Sequence, residues 1–119
     1  MYNVVKIGDK EVPMLSMASV DLFYKNIFGE DPLKVQTEAT SPDEAIGFYY
    51  RMGFVMAKYA ESRDRKEMAK LNEDSYIEWL EQFDRLDLMS ALDSVEATYD
   101  GQHVTYSDAK KNNDEPNEK

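Results

Sequence analysis

"SPDEAIGFYYRMGFVMAKYAE", residues 41–61, is the stretch on which the fold turns. Ser41 stands where a helix N-cap belongs, and Glu44 follows at the spacing of a capping box. Pro42 suits the first helical position, where its missing N–H is not needed. From Ala45 to Ala60 the only charges are Arg51 and Lys58, so the helix lacks the polar half that a surface helix shows. Ile46, Tyr49, Tyr50, Gly53, Met56, Ala57 and Ala60 make one apolar face, and Phe48, Met52, Val55 and Tyr59 make a second. Two accounts fit. Either the helix is central and covered on all sides, or one face lies in the core and the other meets another chain. On the second account Phe48, Met52, Val55 and Tyr59 are the contacts, with Arg51 and Lys58 at the rim. Methionine and aromatic side chains suit such adaptable surfaces.

Working outward, "YNVVKI" and "EVPML" joined through Gly8-Asp9 read as a β-hairpin. Pro13 confines the second arm to an edge or to its end. Two strands alone are marginal, so the hairpin is expected to lie on helices. "SVDLFYKNIFGED" reads as a helix capped by Ser19 and ended by Gly29, with Val20, Leu22, Phe23 and Ile27 inward. The connection after it has room for a helical turn following Asp31-Pro32. Beyond the central helix, "ESRDRKEMAKL" extends it or links it onward. "NEDSYIEWLEQF" restarts a helix at Asp74 or Ser75 with Tyr76, Trp79, Leu80 and Phe83 inward. The stripe loses phase at "DRLDL", where Asp87 is expected to cap a last helix through Leu88, Leu92, Val95 and Tyr99 to Asp100-Gly101. From Ser107 onward only Ala109 is apolar, which reads as a disordered tail. The expectation is a mainly α (α+β) protein: a small N-terminal hairpin packed on about four helices in one domain over residues 1–106, with a disordered polar tail over 107–119.

Charge is unevenly spread. Residues 72–100 carry nine acids against the single base Arg85, and the whole chain carries −10. That balance opposes binding to a phosphate backbone, which requires Lys and Arg, so no nucleic-acid partner is expected. It also makes the acidic helices around Trp79 and Met89 a surface suited to steering a basic partner. No stretch of about 18 uncharged apolar residues exists, so no membrane partner is expected. The opening "MYNVVKIGDKEV" has no basic region followed by a long apolar run, so no signal peptide is expected. There are no cysteines, which removes disulfides, thiolate metal sites and a Cys nucleophile, and suits the cytosol.

Catalytic signals are scarce. His103 is the only histidine, and without a second His or any Cys a transition-metal site is not expected. No calcium loop, phosphate-binding glycine loop, nucleophile elbow or zinc-protease helix occurs. Asp84 and Asp87, one helical turn apart, are the only paired carboxylates that invite an enzymatic reading, and a cap plus a solvated side chain explains them more simply. The protein is read as no enzyme, with no cofactor.

The order of elements carries a resemblance. A hairpin and a helix precede "SPDEAIGFYYRMGFVMAKYA", and after a charged link comes "DSYIEWLEQFDRLDLMSALDSVEATYDGQ" with its aromatic-x-x-Trp-Leu helix and "LMSAL". Over residues 2–103 the chain resembles the tail assembly chaperones of long-tailed bacteriophages of Gram-positive hosts. The resemblance implies a protein that binds and solubilises the tape measure protein and helps recruit the major tail protein. It implies a homo-oligomer acting in the cytoplasm of the infected bacterial host and absent from the mature virion. It also implies a longer form made by programmed frameshift, for which Ala109-Lys110-Lys111 is the candidate site. The alternative is an acidic inhibitor, or DNA mimic, filling a basic cleft on a host protein. Contact residues do not come from the resemblance; the candidates are Phe48, Arg51, Met52, Val55, Tyr59, Trp79 and Met89.

Overall fold

A computed structural model describes residues 1–101. Strands β1 (Tyr2–Ile7) and β2 (Lys10–Leu15) pair antiparallel, with Val5 opposite Val12 and Lys6 opposite Glu11. Gly8 opens the two-residue turn at φ +66°, a left-handed conformation open to glycine at no steric cost. Strand alternation puts Val5, Ile7 and Met14 inside, while Tyr2, Val4 and Lys6 face outward.

Seven helical segments follow among the described residues: α1 (Ser19–Phe28), α2 (Pro32–Glu38), α3 (Pro42–Ser62), α4 (Arg65–Ala69), α5 (Glu73–Leu80), α6 (Arg85–Ser90) and α7 (Leu92–Tyr99). The protein is mainly α with a small hairpin, as expected, but the helical part is cut into more pieces than the four foreseen. Helix α3 is the exception at 21 residues. Ser41 Oγ accepts from the Glu44 N–H, as its spacing requires, but the Glu44 carboxylate reaches past Ser41 to the N–H and hydroxyl of Thr40. Arg63 ends α3 in a left-handed conformation, its N–H donating to the Tyr59 carbonyl, and Asp64 then caps α4.

Other caps differ from expectation. Helix α1 is capped at Ala18 with no side-chain bond, because the Val20 N–H already finds the Met17 carbonyl. Its Leu22 faces solvent, and Tyr24 takes the inward place instead. Asn72, not Asp74 or Ser75, caps α5, and Ser75 reciprocates by accepting from the Asn72 N–H. Asp87 lies inside α6 rather than at its start, and the phase break is the boundary between α6 and α7 at Ala91.

The central account of α3 is the one observed. Met52 through Ala57 are all buried, enclosed by β2, α1, α5 and α7. Gly53 permits this: a β-carbon there would sit 3.3 Å from Val95 Cγ1 on α7 and 3.7 Å from both Met14 and the Trp79 ring. Thr98, the buried polar residue of α7, donates to the Ser94 carbonyl and accepts from the Asn3 side chain, which ties α7 to β1. The expected tail, His103 and the Ala109-Lys110-Lys111 run lie outside the described residues.

Candidate functional site: an apolar groove beside an acidic surface

The contacts expected from sequence are mostly core. Phe48, Met52 and Val55 are at most 1% exposed, so they are corrected from partner contacts to the monomer's own interior. Phe48 packs against Tyr24, Tyr49 and Tyr99 with ring centroids 5.0–5.7 Å apart. Trp79 is also buried, wedged between Phe54 and Phe83, and Tyr59 is half-buried against Phe23 at 5.2 Å. Phe48, Met52 and Val55 of the second face are covered by the chain itself, while Ile46 and Tyr49 of the first stay half-buried.

Arg51 is half-buried and bound within the chain. Its Nε–H donates to the Tyr24 hydroxyl at 2.8 Å, and that hydroxyl donates to Glu30 Oε1 at 2.8 Å. The guanidinium sits 3.4 Å from the same carboxylate and 5.9 Å from the Tyr24 and Phe28 ring centroids. Burial pushes the Tyr24 phenol far above its ordinary value, with Glu30 adding to the effect. Of the seven candidates only Met89 is exposed, at 40%. It shares α6 with Leu86, also exposed, and Ile77 is a third exposed apolar side chain on α5.

The acidic surface is present as expected. Glu73, Asp74, Glu78, Glu81, Asp84, Asp87, Asp93, Glu96 and Asp100 are all exposed. Among the described residues the ion pairs are Arg51–Glu30, Lys58–Glu61 and Lys70–Glu67, so none of these nine carboxylates is paired. Asp84 and Asp87 have separate structural places. Asp84 is the N-cap residue of α6, and Asp87 rests against the hairpin turn so closely that a methyl on Gly8 would strike its carboxylate. Among the described residues no group of three or more Asp, Glu, His or Cys side chains is placed to hold a metal ion. No described helix is long and apolar enough to cross a membrane.

Where acid and apolar surface meet there is a groove of about 380 Å³ between the end of α2, the start of α3 and α7. Phe48 and Tyr49 line it together with Ile46 and Leu92, while Asp93 and Glu96 bring carboxylates to its edge. Small residues make the hollow: α2 stops at Ala39 in an extended conformation, and Ala45 presents only a methyl. Gln36 spans the far end, donating to the Tyr49 hydroxyl at 3.1 Å and to Asp100 Oδ1 at 3.4 Å. Burial pushes the Tyr49 phenol up, and the Asp100 and Glu96 carboxylates push the same way. Sequence reasoning placed Ile46 and Tyr49 on a face but missed the groove, because Leu92 and Glu96 arrive from some fifty residues away. No family model, curated protein or solved structure matches the chain.

Proposed function

We propose that the protein is a non-enzymatic binding protein of the tail assembly chaperone kind. In this reading it holds the tape measure protein soluble and helps recruit the major tail protein, working as a homo-oligomer in the cytoplasm of an infected bacterium and leaving before the virion is complete. One observation supports it above the others: an apolar groove between α2, α3 and α7 carries the exposed carboxylates of Asp93 and Glu96 at its edge, and neither has an ion-pair partner among the described residues. A chaperone for a long amphipathic helix needs apolar surface to shield the helix and like charge to keep the complex dispersed. The order of elements that carries the family resemblance adds to it.

Co-expression tests this directly. The tape measure protein alone is expected in the insoluble fraction, and with this chain it is expected in the soluble fraction and co-purifying. A tape measure protein that stays insoluble at matched expression would sink the proposal. The same carboxylates also favour a second reading, an acidic inhibitor of a basic cleft. That reading predicts capture of a basic globular protein with binding that falls steeply with salt, and no effect on tape measure solubility.

A further inference from the structure

The groove and the charge beside it are arranged together. Asp93 and Glu96 on α7 and Asp100 at its C-cap stand at i, i+3 and i+7, hence on one side of the helix, spanning about 10 Å at 1.5 Å per residue. Asp93 and Glu96 border the groove, and Asp100 closes its far end through Gln36. Among the described residues no lysine or arginine lines the groove, and none of the three carboxylates has an ion-pair partner. A row of like charges along an apolar hollow is complementary to one kind of visitor, an apolar stripe flanked by cations.

We infer that the groove between α2, α3 and α7 seats an amphipathic helix of a partner chain, with apolar side chains at i and i+3 or i+4 entering over Ile46, Tyr49 and Leu92 and a flanking row of Lys or Arg lying along Asp93, Glu96 and Asp100. The volume has room for a few side chains, at the small end of ligand-sized cavities of about 300–1,000 Å³. A second copy of this chain is the poorer occupant. Its own α7 would bring the same charges, and its basic segment around α4 has its apolar residue Met68 already buried. The inference deepens the chaperone reading by naming where the helical partner sits, and it rests on that reading for the partner's identity.

The test uses the full chain and a fluorescein-labelled peptide of roughly 18 residues, long enough to hold a helix when bound. The peptide contains only Leu and Lys, with Leu at helical spacing, and an isomer of scrambled order is the control. The patterned peptide is expected to bind at least about tenfold tighter than the scrambled one, a difference of roughly 1.4 kcal/mol. Ala45→Trp and Ala39→Trp fill the groove from two sides without changing charge, and each is expected to erase that preference. Asp93→Asn with Glu96→Gln is expected to weaken binding about three- to tenfold and flatten its salt dependence. Glu73→Gln with Asp74→Asn, the same charge change away from the groove, is expected to leave the preference intact.

Equal binding of the two peptides would reduce the surface to a charge effect and overturn the inference. So would unchanged preference in both tryptophan variants, once circular dichroism shows them folded. So would a wild-type dimer that either variant converts to monomer, since a second copy would then be the occupant. The two readings separate cleanly. A protein that prefers the patterned peptide yet leaves the tape measure protein insoluble keeps the groove and loses the chaperone. A protein whose tryptophan variants still solubilise the tape measure protein keeps the chaperone and loses the groove.

Discussion

Helix α3 and the run α5–α7 are similar in total length but are held by different means. Over its 21 residues α3 buries seven, six of them consecutive from Met52 to Ala57. Helices α5, α6 and α7 bury Trp79 in the first, Leu88 in the second and Val95 and Thr98 in the third, leaving nine carboxylates outside. Isolated helices below about 12 residues are marginal in water, so none of the three stands by propensity. Each is pinned by one or two side chains into a core that α3 organises. The acidic surface is therefore a shell hung on anchors, and the core beneath it is cooperative.

The contrast is most directly broken by truncating one side chain in each region. Phe54 is fully buried among Phe28, Tyr76 and Trp79, whereas Leu86 on α6 is 62% exposed. Phe54→Ala is expected to cost about 3–5 kcal/mol in urea unfolding, and Leu86→Ala less than about 0.5 kcal/mol. Similar losses at the two sites would mean that the acidic shell is as tightly packed as the core.

A second distinction is chemical. Three tyrosines are held neutral by their surroundings. Burial raises the phenols of Tyr24, Tyr76 and Tyr99, and Tyr76 is pushed up to about 12. The Tyr99 hydroxyl also donates to Asp21, which opposes its ionisation further. In the unfolded chain these groups lose their protons near pH 10. The folded state then binds more protons than the unfolded one, so stability is intact below pH 10 and falls as pH rises toward 12. A loss of stability over that window is expected, with ionisation of these three phenols appearing in step with loss of circular dichroism. Tyr24→Phe is expected to lower stability at pH 7, by leaving Arg51 and Glu30 without the hydroxyl between them, and to flatten the alkaline fall. Free titration of Tyr24, Tyr76 and Tyr99 while the protein stays folded would refute that neutrality.

Local chemistry made much of the fold legible. Gly8-Asp9 announced the hairpin turn, Gly29 the end of α1, and Ser41-Pro42 the start of α3, because each is fixed within a few residues of sequence. Asp74 and Ser75 were the caps expected for α5, and Asn72 prevails because Ser75 can return the bond from the third helical position. The candidate site was far less legible. An apolar face has the same spacing whether its cover is β2 and α7 of the same chain or a partner, so Phe48, Met52 and Val55 were assigned to the wrong neighbour. Arg51 looked like a rim charge because nothing local shows that Tyr24 and Glu30 will close around it. The acidic surface was readable from composition alone, since unpaired carboxylates in excess have nowhere to go but out.

The smallest effect tests how the shell itself is balanced. Charge count alone says that removing any one of the nine carboxylates relieves repulsion and stabilises the protein. Helix geometry says otherwise. Glu73 lies in the first turn of α5, where exposed N–H groups favour negative charge, and Glu96 lies in the last turn of α7, where carbonyls disfavour it. Glu73→Gln is therefore expected to destabilise by about 0.3–0.5 kcal/mol and Glu96→Gln to stabilise by a similar amount. Both shifts should shrink as salt approaches about 1 M, where screening extends to only about 3 Å. The charge change is the same and the predicted signs are opposite. Equal stabilisation by both would mean that net repulsion governs the acidic shell and that its short helices contribute no field of their own.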